Sequence, residues 1–252
     1  ALKTGAPVVG FYDSVGGRLK QGTELLAGCG DVLNSAAVLS GVVPQVSVVL
    51  GTCLGTSALN AVSADFVIMS EKAQLSLAVT GENADAKYNA EHGNVSVVAK
   101  DTADAIAKAK ELVQYLPSNN LNSAPQTFEE EPSCDCGCIV SKVVDGGAKF
   151  KLYDDFGDNS KARLAHIGGQ VVGIINTKGN SLDCKSASKA AKFVRFCDAF
   201  SIPVITFVNC PGFESLGSAA KLTSAYAEAT TVKISVVTGK AIGSASIALA
   251  GA

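Results

Sequence analysis

The 252-residue chain carries little charge: Asp, Glu, Lys and Arg make up 17% of it, and the formal net charge is −2. With no basic surplus, neither a nucleic-acid backbone nor an anionic membrane is expected as its main partner. No stretch reaches the roughly 18 consecutive apolar residues that span a bilayer, and the first residues do not run from charged to apolar as a secretion signal does. The expectation is a cytoplasmic protein without membrane insertion. Histidine is scarce, and both copies, His92 and His166, read as ordinary surface or core residues rather than catalytic groups.

Hydrophobic residues make up 47% of the chain, which suits a packed α/β interior and an oligomer that hides part of its surface. The length allows one large core or two modest ones. Eight cysteines would fit a disulfide framework in a small secreted domain, but a chain this long and apolar needs no staples, so they read as reduced thiols. Cys29, Cys53, Cys184, Cys197 and Cys210 lie among apolar or small residues and are expected to act as small buried hydrophobes.

Short β-branched runs alternate with Ala-rich stretches, the pattern of βαβ units around a largely parallel sheet. Strands are expected over 8–12, 45–50, 66–69, 170–175, 204–208 and 233–238, and helices over 23–39, 102–115, 186–200 and 219–230. Between the halves, residues 116–138 hold Pro117, Pro125 and Pro132 and three glutamates at 129–131, which reads as a linker.

The halves repeat each other. Val46-Ser-Val-Val-Leu-Gly-Thr-Cys-Leu-Gly-Thr-Ser57 aligns without gaps on Ile234-Ser-Val-Val-Thr-Gly-Lys-Ala-Ile-Gly-Ser-Ala245, and Pro7-Val-Val-Gly-Phe-Tyr-Asp13 aligns on Pro203-Val-Ile-Thr-Phe-Val-Asn209. Two matched pieces in the same order point to a duplicated fold. In each copy a strand runs into Gly-x-x-x-Gly and then small residues. Such a turn lets the chain bend sharply into a helix whose first amides face a negative ligand, the architecture of an oxyanion hole. A purely structural strand-to-helix turn is the alternative reading of the same spacing.

Further motifs carry a family resemblance. In the first half these are 1–10, Asp13-Ser14, Gly22, Leu25-Leu-Ala-Gly28, Ser40-Gly-Val-Val-Pro-Gln-Val-Ser47, Asp65-Phe66, Val79-Thr-Gly81 and Tyr115-Leu-Pro-Ser-Asn-Asn120. In the second half they are Gly168-Gly-Gln-Val-Val-Gly-Ile174, residues 190–200, Ile202-Pro-Val-Ile-Thr-Phe-Val208, Pro211-Gly-Phe213, Ala225-Tyr-Ala-Glu-Ala-Thr230 and Lys240-Ala241. In this order they resemble the carboxyltransferase component of biotin-dependent acyl-CoA carboxylases and decarboxylases.

The resemblance implies an α/β fold of two tandem crotonase-like lobes: an acyl-CoA lobe over 1–125, a linker over 126–138 and a biotin lobe over 139–252. It implies transfer of a carboxyl group between carboxybiotin and the α-carbon of a short acyl-CoA, with the biotin ureido nitrogen, not a side chain, taking the proton. The implied cofactor is biotin on a carrier protein, with a coenzyme A thioester as substrate. The implied partners are a biotin carboxyl carrier protein, a biotin carboxylase or decarboxylase subunit, and further copies in a homo- or hetero-oligomer. Carried over by position, Gly55, Thr56 and Ser57 would hold the thioester enolate, and Gly243, Ser244 and Ala245 the ureido oxygen. These sites would face each other across a dimer interface. Arg18, Lys20 and Gln21 fall where the family has a short basic stretch near the CoA groove, and they are candidates for its phosphates. An ordinary solvated helix start is the other reading of these three.

The sequence also departs from the family pattern. The family usually has Gly-Gly-Ala at each turn, so Thr56 and Ser244 each add a Cβ where the backbone needs positive φ or close ligand approach. Ser246 and Ile247 replace an aromatic and an acidic residue. The family carries segments before the position of Ala1 and after that of Ala252, and the piece after Gly81 is shorter here. A minimal or degenerate member is therefore expected, with a non-catalytic relative that keeps the fold and CoA binding as the alternative. Cys134-Asp-Cys136-Gly-Cys138 offers three thiols where a zinc or cluster site wants four ligands. It is read as a reduced linker motif with no metal, metal binding being the alternative.

Overall fold

A computed structural model describes residues 1–78, 80, 82–128, 130–132 and 138–251. The chain divides into two units, Ala1–Asn120 and Leu121–Ala252. Each is built on its own sheet, and together they are the two crotonase-like lobes.

Unit 1 runs β1 (Val8–Ser14), a 3-10 turn at Leu19–Gln21, α1 (Thr23–Leu39), β2 (Gln45–Leu54), α2 (Thr56–Val62), β3 (Phe66–Ser70), β4 (Gln74–Ser76), α3 (Ala86–Glu91), β5 (Val97–Ala99) and α4 (Thr102–Val113). The sheet order is β1-β2-β3-β5, with β4 on the far end of β2, and every pairing is parallel. Val48 and Val49 of β2 and Ile68 and Met69 of β3 are fully buried, so 48–50 and 66–69 read as short apolar runs, as a sheet covered on both faces requires. Val49, Cys53, Val67 and Met69 pack with Ala58 and Ala61 of α2.

Helix α4 shows how a structural helix begins in this chain. The Asp101 side chain accepts from the Asp104 amide at 2.8 Å, and Ala105, Ala109 and Leu112 recur at helical spacing on the buried face. Asp85 caps α3 in the same way, accepting from the Tyr88 amide at 2.8 Å.

Unit 2 runs β6 (Lys149–Leu152), β7 (Ser160–Ile167), β8 (Gln170–Thr177), α5 (Cys184–Ala199), β9 (Val204–Cys210), α6 (Leu216–Glu228), β10 (Lys233–Ala241) and α7 (Ser244–Ala250). Its order is β10-β9-β8-β7-β6. Strands β8, β9 and β10 are parallel, but β6, β7 and β8 form an antiparallel meander that the βαβ reading does not anticipate. The cause is local. Ile167 pairs with Gln170 across Gly168-Gly169, both at positive φ (58° and 74°), which is the two-residue hairpin loop that only glycine adopts readily.

The Asp183 side chain caps α5 by accepting from the Ser186 amide at 3.0 Å. The same helix buries Lys189, 2% exposed, whose ammonium donates to the carbonyls of Tyr153, Phe156 and Gly157 at 3.2, 2.6 and 2.7 Å. Of the five cysteines expected to be buried, Cys53, Cys197 and Cys210 are, Cys29 is half-buried, and Cys184 is exposed. Cys184 is the first residue of α5, so it sits at a helix end instead of in the apolar stripe that its neighbours form.

The sequence repeat is also a structural one. Val8 pairs with Gln45 and Phe11 with Val48; in unit 2 the aligned residues pair identically, Val204 with Lys233 and Phe207 with Val236. Both ladders break near their ends and re-enter at aligned pairs, Ser14 with Cys53 and Cys210 with Ala241. At the break the Thr52 amide donates to Asp13 Oδ1 at 3.1 Å, and the Lys240 amide donates to Asn209 Oδ1 at 3.0 Å. Gly51 and Gly239 make room for this, because a Cβ there would fall 2.2 Å from Asp13 Oδ1 and 2.4 Å from Asn209 Oδ1. The unit common to both halves is therefore β1-α1-β2-α2, repeated as β9-α6-β10-α7.

Candidate functional site

Four residues after each of those packing glycines the strand ends in a turn. Gly55 has φ 65° and ψ −135°, and Gly243 has φ 52° and ψ −121°, a conformation that L residues with a Cβ rarely adopt. Thr56 and Ser244 are not among the non-glycine residues at positive φ. The added Cβ thus falls one residue after the position that needs glycine, and the backbone strain expected at Thr56 and Ser244 does not arise.

Neither α2 nor α7 has a side-chain cap, as is also true of α1 and α6, whereas α3, α4 and α5 are each capped by an aspartate. In unit 1 the Gly55 amide donates to Ser76 O at 2.9 Å and the Ala58 amide to Gly55 O at 3.1 Å. The amides of Thr56 and Ser57 have no acceptor among the described residues. In unit 2 the Ala245 amide is taken by Ile242 O at 3.1 Å, and those of Gly243 and Ser244 have no acceptor among the described residues. Each turn therefore presents a pair of adjacent donors, offset by one residue between the lobes, which is what an oxygen that gains negative charge needs.

In unit 1 the turn opens onto a cavity of about 340 Å³ whose wall includes Tyr12, Gln21, Leu25, Gly28, Cys29, Val32, Thr56, Ser57 and Asn60. Gln21, Leu25, Gly28, Cys29 and Val32 lie along one stripe of the helix start and α1, at spacings of three and four residues. That stripe was the signal in the sequence for residues that motif reading missed. Asn60 Nδ2 donates to the Tyr12 hydroxyl at 2.8 Å, and burial raises the Tyr12 phenol above its ordinary range, so it stays protonated. Burial also pushes the nearby Cys53 thiol up to about 11, which keeps it unreactive. No histidine lines the cavity, and Glu24 is the one acid in its described wall. The site offers hydrogen-bond donors to an oxyanion and little that would act as a base.

The structure brings Gln21, Thr56 and Ser57 together at this cavity. Arg18 and Lys20 are exposed and outside its lining. A second cavity in unit 1, about 380 Å³, holds none of the residues predicted from sequence. His92 stacks on Tyr88 at 3.9 Å between centroids, and burial lowers His166 while Asp145 opposes the shift. Cys134 and Cys136 lie outside the described residues. Among the described residues no group of three or more His, Cys, Asp or Glu is placed to hold a metal, and no helix is long and apolar enough to cross a membrane.

The profile of the carboxyl transferase domain family matches residues 1–252. The methylmalonyl-CoA decarboxylase subunit alpha of Propionigenium modestum is 32% identical over 295 residues, covering 99% of this chain and 57% of the relative. The methylmalonyl-CoA carboxyltransferase 12S subunit of Propionibacterium freudenreichii subsp. shermanii is 33% identical over 293 residues, covering 99% and 56%. The chain thus spans little more than half the length of these relatives. A crystal structure of transcarboxylase 12S, a hexamer assembly with methylmalonyl-coenzyme A and methylmalonic acid bound, superposes with a TM-score of 0.92 at 32% identity, covering 98% of this chain and 57% of that one.

Proposed function

The chain belongs to the carboxyl transferase domain family, and on that premise we propose that it moves a carboxyl group between carboxybiotin and the α-carbon of a short acyl-CoA. The observation that carries this reading is the duplicated turn: two lobes with one strand register, each ending in a glycine at φ 52–65° and two adjacent amides without an acceptor among the described residues. A reaction that creates negative charge on two carbonyl oxygens, one in each substrate, calls for two such donor pairs.

Residues 1–125 form the acyl-CoA side. The Thr56 and Ser57 amides hold the thioester oxygen as it becomes an enolate, and one such donor contributes about 3–4 kcal/mol to the transition state. Gln21 reaches the same cavity, and Arg18 and Lys20 take the CoA phosphates from outside it. Residues 139–252 form the biotin side, where the Gly243 and Ser244 amides face the ureido oxygen as a pair of donors for the charge it gains. Carboxybiotin, when bound, supplies the carboxyl group and the proton acceptor, which agrees with a cavity without histidine. The partners in this reading are a biotin carboxyl carrier protein and a biotin carboxylase or decarboxylase subunit in a cytoplasmic oligomer.

The test is transfer of the carboxylate of malonyl-CoA or methylmalonyl-CoA to free biotin by the purified protein with its partners. Carboxybiotin and the shortened acyl-CoA should appear together. Binding of the CoA thioester without any transfer would remove the proposed activity and leave a binding protein.

A further inference from the structure

Thr56 stands where the family pattern has glycine, so its side chain must be kept from the two amides beside it. Threonine divides between two χ1 rotamers in a helix, and a rotamer that carries its hydroxyl or methyl group across the cavity crowds the oxygen the amides would hold. Thr56 Oγ1 lies 3.3 Å from Cys29 Sγ, in a hydrogen bond that ties α2 to α1 across 27 residues of sequence. Both residues line the cavity onto which the open amides face. Threonine is stiff about χ1, so fixing Oγ1 also fixes the methyl group. The residues flanking the thiol are Gly28 and Gly30, where an added Cβ would meet nothing within 4 Å. On this stretch of α1, Cys29 is the residue whose side chain is hydrogen-bonded to the turn.

We propose that Cys29 is a positioning residue: its thiol holds the Thr56 side chain against α1 and so keeps the Thr56 and Ser57 amides open to a thioester oxygen. The inference rests on the acyl-CoA reading of the unit 1 turn and adds to it how this chain accommodates a side chain at that position. It is confined to unit 1, because Ser244 is exposed and no described residue bonds its hydroxyl.

The test uses Cys29→Ala, Cys29→Ser and Thr56→Gly, alone and combined, in the assembled enzyme, with transfer from malonyl-CoA to free biotin as the assay. Cys29→Ala should lower kcat about fivefold to tenfold, the worth of one lost hydrogen bond, while KM moves no more than about twofold. Cys29→Ser should restore kcat, and Cys29→Ala should cost nothing once Thr56 is glycine. An equal loss in the Thr56→Gly background would overturn the proposal, since a structural defect does not depend on Thr56. Three-bond couplings at Thr56 give a readout independent of activity. A single χ1 rotamer in wild type and Cys29→Ser, averaged in Cys29→Ala, supports the holding role; a single rotamer in all three overturns it. Failure of the carboxyltransferase reading would look different: no variant, wild type included, would transfer carboxylate, and the couplings would then decide the role of Cys29 by themselves.

Discussion

The two lobes share one βαβα core and differ in almost everything built on it. In unit 1 the sheet grows from β2 onward to β3, β4 and β5; in unit 2 it grows from β9 backward to β8, β7 and β6. What the duplication has held fixed is the register of the first two strands, the side-chain oxygen bonded across their break, and the glycine turn that follows. What it has let drift is how the open amides are framed. In unit 1, β4 ties down the Gly55 amide through Ser76 and the donors are Thr56 and Ser57; in unit 2, without that strand, the donors are Gly243 and Ser244. The turn keeps its conformation while its surroundings change, which is what the proposed oxyanion role requires of it.

Exchanging the turn glycines should break the comparison most severely. Gly55→Ala and Gly243→Ala each force a Cβ into φ 52–65°, a strain of about 1–3 kcal/mol that the backbone relieves by turning the amides away. Each should lower overall transfer by roughly 10²–10³-fold, the cost of losing an oxyanion donor. The half-reactions separate them: Gly55→Ala should slow proton exchange at the acyl-CoA α-carbon and spare decarboxylation of carboxybiotin, and Gly243→Ala should do the reverse. Equal damage to both half-reactions by one substitution would mean that the lobes do not divide the substrates.

Lys189 sharpens the contrast next, because a cation buried on three carbonyls belongs to unit 2 alone among the described residues. Lys189→Met leaves those carbonyls without a donor and should destabilise unit 2 by about 3 kcal/mol, read as a lowered melting transition for that unit with unit 1 unchanged. Burial, with Lys161 adding to it, lowers the Lys189 ammonium from 10.5 to about 8. The folded state therefore gives up this proton first. Between about pH 8 and 10.5 the unfolded chain binds more protons, so the contribution of Lys189 to stability rises with pH across that window and is flat below it. Wild type should gain on Lys189→Met from pH 8 to pH 10; a gap that narrows would mean the group stays ionised when buried.

How much of this was legible depended on length and locality. Helix α1 came out at its observed bounds, 23–39, because Gly22 and Ser40-Gly41 punctuate it, and α4 and α5 followed from apolar residues at helical spacing. Strands β4 and β5 have three residues each and show no period, and α2 and α7 are only seven residues long. The β7–β8 hairpin carried its Gly-Gly signal openly, but the expectation of crossover connections outweighed it. The turn glycines were visible from the internal repeat. Which amides remain open was not, since that depends on Ser76, whose carbonyl arrives by tertiary placement, and on the local bend that brings the Ala245 amide to Ile242 O. Nor was the Cys29–Thr56 contact, which exists only because α1 crosses α2 at that point.

The smallest effect is the most exacting test of equivalence. At the strand break unit 1 uses Asp13 and unit 2 uses Asn209, each accepting from the amide after a packing glycine. If the shared requirement is an sp² oxygen in that place, Asp13→Asn keeps it and should cost less than about 0.5 kcal/mol, whereas Asp13→Ala leaves the Thr52 amide without its acceptor and should cost about 1 kcal/mol. The opposite exchange is not its mirror image. Asn209 is half-buried where Asp13 is exposed, so Asn209→Asp brings a carboxylate into a drier place and should cost more than Asp13→Asn, up to about 1 kcal/mol. Chemical denaturation of the four proteins measures all of this. Should Asp13→Asn prove as costly as Asp13→Ala, the charge and not the oxygen would be what unit 1 has kept, and the two breaks would be alike in geometry while held by different forces.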